Sequence, residues 1–185
     1  MENKKAIIKV VSGGYLDILN PDLDLINLED ISIALARLPR YSGQLPEFID
    51  HYSVAEHTCI VYDLAKKDNV DKEVLKAILL HDASEAYMND LISPIKNLCP
   101  EYKEIEDNFT AKIYQKFDVD YGHTKTLVKY YDLLALKAEK QKFWPEDDYY
   151  WETLQKLPDI EVFFTFDTWR NAKEKLNVLF FRYFI

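Results

Sequence analysis

The chain is 185 residues long, 48% apolar and 30% charged, enough for one buried core and ordinary for a globular protein. Its four glycines, with no G-x-x-x-x-G-K-[ST] or G-x-G-x-x-G run, exclude a nucleotide site of the P-loop or Rossmann kind and speak against a loop-rich all-β sandwich. A formal net charge of −9 excludes nucleic acid as the expected partner, because backbone phosphates are bound by clustered Lys and Arg. A small anionic substrate stays compatible, since a metal or a few local cations can reverse the potential of one pocket.

In chain order, the first element is a short β-prone run, Ala6 to Val11, followed by turn signals at Gly13–Gly14 and Asn20–Pro21. A small hairpin or extended arm is expected there. The N-terminal apolar run is too short and interrupted for a signal peptide, and nowhere do ~18 apolar residues run together as a membrane helix requires. The expected setting is cytoplasmic, with no membrane contact. Between Asn27 and Leu38 the apolar residues Ile31, Ala34, Leu35 and Leu38 mark a short helix that Pro39 ends. Arg40 to Tyr52, with Gly43 and Pro46, reads as a loop.

Ser53-Val-Ala-Glu56 is a capping box and predicts a helix to about Lys67. Asp71 caps a second helix, read as continuing to about Met88 through VLKAILLHDASEAYM. After a loop at Ser93–Pro94, a third helix is predicted from Glu101 to Phe117, and a fourth from His123 or Thr124 to just before Pro145. His123 itself reads as a loop or N-cap residue beside Gly122. Asp167 to Tyr183 predicts a last helix in an aromatic-rich C-terminal third, expected to form core and a contact to a second copy rather than a platform for bases. No repeat or linker interrupts the pattern, so residues 1–185 are read as one all-α domain with a short extended N-terminal segment. Cys59 and Cys99 lack C-x-x-C spacing and read as free thiols of a reducing compartment.

Several polar residues fall where these helices should face inward. His57 lies in the first turn of the Ser53 helix, His81 and Asp82 follow the apolar Ala77-Ile-Leu-Leu80, and Asp132 is embedded in LVKYYDLLALKAEK. On a continuous helix, Glu85 would share the face of His81 and Asp82, at i+4 and i+3. A buried charge without a partner costs several kcal/mol, roughly, so such groups should meet one another or an ion. Two histidines and two aspartates offer the mixed N and O ligands of a divalent metal, which acidifies a bound water and neutralises phosphoryl charge. A helical histidine is more often merely packed or hydrogen-bonded, and spacing alone leaves a metal site and a plain polar cluster equally open.

A family likeness narrows the choice. YSVAEH at 52–57, LLHDASEAYMNDLISPIK at 79–96 and YYDLLALKAE at 130–139 resemble the H…HD…D signature of the HD-domain phosphohydrolases. More narrowly they are similar to the bacterial 5′-deoxynucleotidases and the phage dATP triphosphohydrolases; NPDLDLINLEDISIALARLPRYSG resembles the N-terminal region of the phage branch, and the likeness spans about residues 13–142. It implies an HD-type helical bundle with His57, His81, Asp82 and Asp132 as ligands of a divalent transition ion (Mn, Co, Fe, Ni or Zn, with Mg as an alternative for a triphosphate substrate). It also implies Glu85 as acid/base, Asp90 beside the attacking water, and Arg40 and Lys96 on the substrate phosphate. Arg37 is the other candidate for that phosphate contact, and His51 has no counterpart among the ligands. Asn89 stands where the family usually has Gly; Asn also tolerates positive φ.

The resemblance implies hydrolysis of a small nucleotide, a deoxynucleoside 5′-monophosphate in the first instance, by a homodimer or larger homo-oligomer. A dNTP triphosphohydrolase that releases triphosphate is the alternative with the same ligands. A metal- or nucleotide-binding sensor without turnover is the alternative of another class, and it has no need of Glu85 and Asp90.

Overall fold

The computed structural model describes residues 4–149 and 151–185. Its N-terminal strands β1 (Ile7–Lys9) and β2 (Tyr15–Asp17) pair antiparallel, with Ile8 opposite Leu16. Gly13 closes the connection at φ 102°, where a side chain would be strained. Leu16 is fully buried, and the buried Asp30 accepts from both the amide and the hydroxyl of Ser12, each at 2.8 Å. That carboxylate pins the hairpin loop to the first helix.

Among the described residues, eight α-helical segments follow. Helix α1 (Leu28–Arg37) is capped by Asn27, whose side chain accepts from the Asp30 amide, and it ends before Pro39 as the sequence predicts. Helix α2 (Val54–Lys67) carries the predicted capping box: the Glu56 amide donates to Ser53 Oγ at 3.2 Å and the Ser53 amide to Glu56 Oε2 at 3.0 Å. Most of α2 is buried, on more than one face, because α1, α3 (Lys72–Leu80), α7 (Tyr121–Phe143) and α8 (Trp169–Phe184) pack around it. It is the central helix, and His57 lies in its first turn.

The second predicted helix is not continuous. It stops at Leu80, passes through a tight turn at 81–84 and resumes as the short α4 (Glu85–Met88). The cause is local: Nδ1 of His81 lies 2.7 Å from the Ile78 carbonyl, which a continuing helix would give to the Asp82 amide. The amides of Ala83 and Glu85 then take the i−3 carbonyls of Leu80 and Asp82, both at 3.0 Å. Glu85 therefore reaches its neighbours across a turn rather than along one helix face.

Asn89 turns the chain at φ 78°, ψ 154° into the short α5 (Ser93–Lys96), a positive-φ extended conformation outside the left-handed helical region and strained for any residue but glycine. Helix α6 (Pro100–Lys116) matches expectation. Helix α7 begins earlier than predicted, because Asp120 caps it by accepting from the His123 amide at 3.2 Å; His123 lies inside the first turn. Its buried stripe runs Thr124, Val128, Tyr131, Ala135, Ala138, with Leu134 and Glu139 beside it. Helix α8 buries Ala172, Leu176 and Phe180 and presents Val178 and Phe181 outward, with Ile185 exposed just past its end. Between α7 and α8, Phe164 and Phe166 fold back onto Tyr52 and Phe143, with ring centroids 5.0 Å apart for Tyr52–Phe143 and 5.1 Å for Phe143–Phe164. This is a mostly helical single domain with a short hairpin. Cys59 and Cys99 are both free thiols, and no helix among the described residues is long and apolar enough to cross a membrane.

Candidate metal centre

Three elements deliver ligating atoms to one point. Helix α2 supplies His57, the turn after α3 supplies His81 and Asp82, and the middle of α7 supplies Asp132. The ligand atoms of His57, His81 and Asp132 all lie within 4.8 Å of one another. His57 Nε2 is 3.2 Å from Asp132 Oδ1 and 3.8 Å from Asp82 Oδ2, and Asp82 Oδ2 is 3.1 Å from His81 Nε2. The four residues that the sequence nominates are thus together, with Asp82 flanking the tighter group of three.

The donor set fits a metal ion. Each imidazole has its Nδ1 against a fixed oxygen: His57 Nδ1 is 2.6 Å from Glu139 Oε1, and His81 Nδ1 is 2.7 Å from the Ile78 carbonyl. Both oxygens are acceptors, so each Nδ1 holds a proton and each Nε2 faces the cluster, able to ligate an ion once it carries no proton of its own. His81 Nε2 and Asp82 Oδ2 are buried and have no hydrogen-bond partner. At 3.1 Å apart the two atoms need a proton or a shared cation between them, and a metal ion can fill that place.

The charges around the point are strongly coupled. Burial works against the ionised form of Asp82, yet His81 and His57 outweigh it and hold this carboxyl far below the usual carboxylate range. Asp132 is likewise held down against burial by His57 and His81, helped by Lys129, whose Nζ lies 2.7 Å from Oδ2. Burial and Arg40 both oppose a charged His57; Glu139 and Asp132 prevail and carry its pKa to about 9.

Beside the ligands lie the other nominated residues. Glu85 is buried, its Oε2 has no partner, and burial together with Asp82 and Asp90 pushes its pKa well up. Burial also raises Asp90. Lys96 bridges Glu106 at 2.8 Å and Glu85 at 3.9 Å, so it faces the cleft. That cleft, a cavity of about 450 Å³, is lined by His81, Asp82, Glu85 and Asp132 and by Lys96, Lys103, Lys125 and Lys129. A larger cavity of about 580 Å³, between α2, α8 and the segment 161–167, contains none of the ligands and no unpartnered buried polar atom.

Arg40 sits where the loop after α1 meets α2, held by its amide on the Tyr52 carbonyl at 2.9 Å. Its Nη2 lies 3.5 Å from Glu139 Oε2, and its Nε is buried without a partner. Arg37 instead stacks over Trp169 at 4.5 Å. His51 is a clamp, its Nε2 3.0 Å from the Ala36 carbonyl.

Glu139 is the residue that sequence reasoning missed. It is fully buried and gathers His57 Nδ1, the hydroxyls of Tyr41 and Tyr52, and Arg40 onto one carboxylate. Burial opposes its charge, but His57 and Arg40 hold its pKa at about 2. Its only sequence signal is position: i+7 from Asp132, two turns along the same helix.

No family model matches the chain. It is 36% identical over 160 residues to the uncharacterized protein YfdR of Escherichia coli, an alignment covering 85% of this chain and 84% of that protein. The chain belongs to the YfdR family. A second relative, an uncharacterized protein of Rhodobacter capsulatus, is 33% identical over 146 residues, covering 75% and 74% of the two chains. The cluster described above is therefore that of a YfdR-family protein.

Proposed function

We propose that this YfdR-family protein is a metal-dependent phosphohydrolase of the HD type, cleaving the phosphate ester of a deoxynucleoside 5′-monophosphate to nucleoside and phosphate. The observation that carries the reading is the convergence of His57, His81, Asp82 and Asp132, two of whose buried atoms lack partners, beside the unpartnered carboxyl oxygen of Glu85.

His57, His81, Asp82 and Asp132 would hold the ion, and the N and O donor set suits Mn, Co, Fe, Ni or Zn. When bound, such an ion supplies Lewis acidity toward a phosphoryl oxygen and toward water. The remaining work falls to the chain. Glu85, its pKa raised by burial and by Asp82 and Asp90, exchanges a proton at Oε2 with the attacking water or the leaving oxygen. Asp90 orients that water. Arg40 and Lys96 bind the phosphoryl oxygens, Arg40 through a guanidinium that already carries one unpaired buried N–H. A binding module without turnover has no use for Glu85 and Asp90 at this place, which favours an enzyme.

One observation favours a second reading. Lys103, Lys125 and Lys129 line the same cleft beyond Lys96; Lys103 pairs with Asp107 at 2.9 Å and Lys129 with Asp132 at 2.7 Å, while Lys125 has no carboxylate partner among the described residues. That array would suit a deoxynucleoside triphosphate, hydrolysed at the α-phosphate with release of the triphosphate chain. Turnover of mono- and triphosphates side by side, with phosphate and tripolyphosphate resolved and a chelator control, tests both. Phosphate from monophosphates supports the first reading and tripolyphosphate the second. No product from either substrate class, with metal supplied, overturns the phosphohydrolase.

A further inference from the structure

The loop between α1 and α2 takes an unfavourable path for no purpose of its own. Tyr41 (φ 56°, ψ 27°) and Ser42 (φ 54°, ψ 28°) are consecutive left-handed residues, and Gly43 follows at φ 75°. For side-chain-bearing residues this conformation is strained. The path seats Arg40 and Tyr41 together on Glu139, with the Tyr41 ring edge-on to Phe143 and Trp144. Oε2 of that carboxylate receives Arg40 and Tyr41, while Oε1 receives Tyr52 at 2.8 Å and His57 Nδ1 at 2.6 Å. A fold needing only a neutral core here would not bury a carboxylate under four donors.

We propose that Glu139 is a positioning residue shared by the metal ligand His57 and the anion-binding Arg40, coupling occupancy of the metal site to the freedom of Arg40. This rests on the metal-centre reading above. Through Oε1, Glu139 fixes the His57 ring with its proton on Nδ1 and its Nε2 toward Asp132 and Asp82. Through Oε2 it restrains Arg40. An anion that draws Arg40 away leaves the carboxylate charge less neutralised and a stronger acceptor for His57, which strengthens Nε2 as a ligand. A metal on Nε2 polarises the Nδ1 proton, draws Glu139 toward His57 and loosens its hold on Arg40. The coupling is reciprocal by linkage.

The test is a double-mutant cycle on Co²⁺ affinity, measured by chelator competition without substrate, in wild type, Glu139→Gln, Arg40→Gln and the double variant. Glu139→Gln should weaken Co²⁺ by about 10–100-fold while leaving the stoichiometry unchanged. The effect of Arg40→Gln should differ between the wild-type and Glu139→Gln backgrounds on the order of threefold or more. Direct repulsion between Arg40 and the ion is present in both backgrounds and cancels. Equal effects in the two backgrounds, or unchanged affinity in folded Glu139→Gln, overturn the proposal while leaving the metal centre intact. Wild type that binds no Co²⁺ overturns both. If Glu139→Gln loses its helical circular dichroism, Tyr41→Phe, which strips a donor from the oxygen Arg40 uses, replaces it in the cycle. As a second readout, ¹⁵N-histidine spectra of the Zn²⁺-loaded wild type should show His57 protonated at Nδ1; protonation at Nε2 overturns the proposal.

Discussion

His57 and Glu139 lie on different helices, α2 and α7, and their Nδ1 and Oε1 atoms are 2.6 Å apart with neither side chain exposed. The contact decides which nitrogen of His57 faces Asp82 and Asp132, and so turns toward them the atom that could ligate a metal ion.

Ligand loss should remove metal and activity together. Asp82→Ala takes away the oxygen 3.1 Å from His81 Nε2, so bound metal and turnover should fall in parallel, with metal measured by elemental analysis on the samples assayed. Full metal content with lost activity would make Asp82 something other than a ligand.

Glu85→Gln should separate binding from chemistry. The variant keeps the shape and the neighbours of a carboxyl that makes no ligand contact, so metal content should stay, while kcat falls ~10²-fold or more, the scale of a general acid–base group. Near-normal kcat would remove Glu85 from the reaction.

Arg40→Lys keeps the charge and loses the planar fork. If Arg40 grips phosphate, kcat/KM should drop by a similar factor for every base tested. A loss confined to one base would make Arg40 a base reader instead.

Much of this was legible along the chain, for physical reasons that differ by residue. The Ser53–Glu56 box is a local hydrogen-bond pattern, so four residues suffice to announce α2. His57, His81, Asp82 and Asp132 stand out because each interrupts an apolar run. Glu139 does not: between Lys137 and Lys140 it reads as one more charge on a solvated helix face, and only the tertiary placement of Tyr41, Tyr52 and His57 reveals it as buried. The break at His81 was equally hidden, because LLHDASEAYM contains no Gly or Pro and the breaker is a side chain bonding its own helix. The early start of α7 was masked by Gly122, which suggests a turn where Asp120 in fact caps a helix.

The C-terminal segment offers a pH test away from the centre. Burial opposes the charge of Asp167, but Lys175 and Thr165 hold its pKa below the usual 3.8. A depressed acid stabilises the fold above its unfolded pKa, and that contribution is lost as pH falls through the folded value. The difference in Tm between wild type and Asp167→Asn should therefore be constant from neutral pH down to about 4 and shrink below it. A difference independent of pH in that acid range would show that the ionised carboxylate is not what stabilises this segment.

Self-association should run through α8. Val178, Phe181 and Ile185 are exposed at i, i+3 and i+7, one apolar face opposite the buried Ala172, Leu176 and Phe180. Light scattering behind size exclusion should give a dimer or larger for wild type and a monomer for Phe181→Asp. A wild-type monomer at micromolar concentration would remove the interface.

The most direct measurement is the metal content of purified wild-type protein, with turnover followed before and after a strong chelator. The protein should hold about one divalent transition ion per chain, lose its activity with the ion, and regain it when Mn²⁺ or Co²⁺ is added back. Protein that holds no divalent ion even after reconstitution, and activity indifferent to the chelator, would contradict the metal-dependent reading.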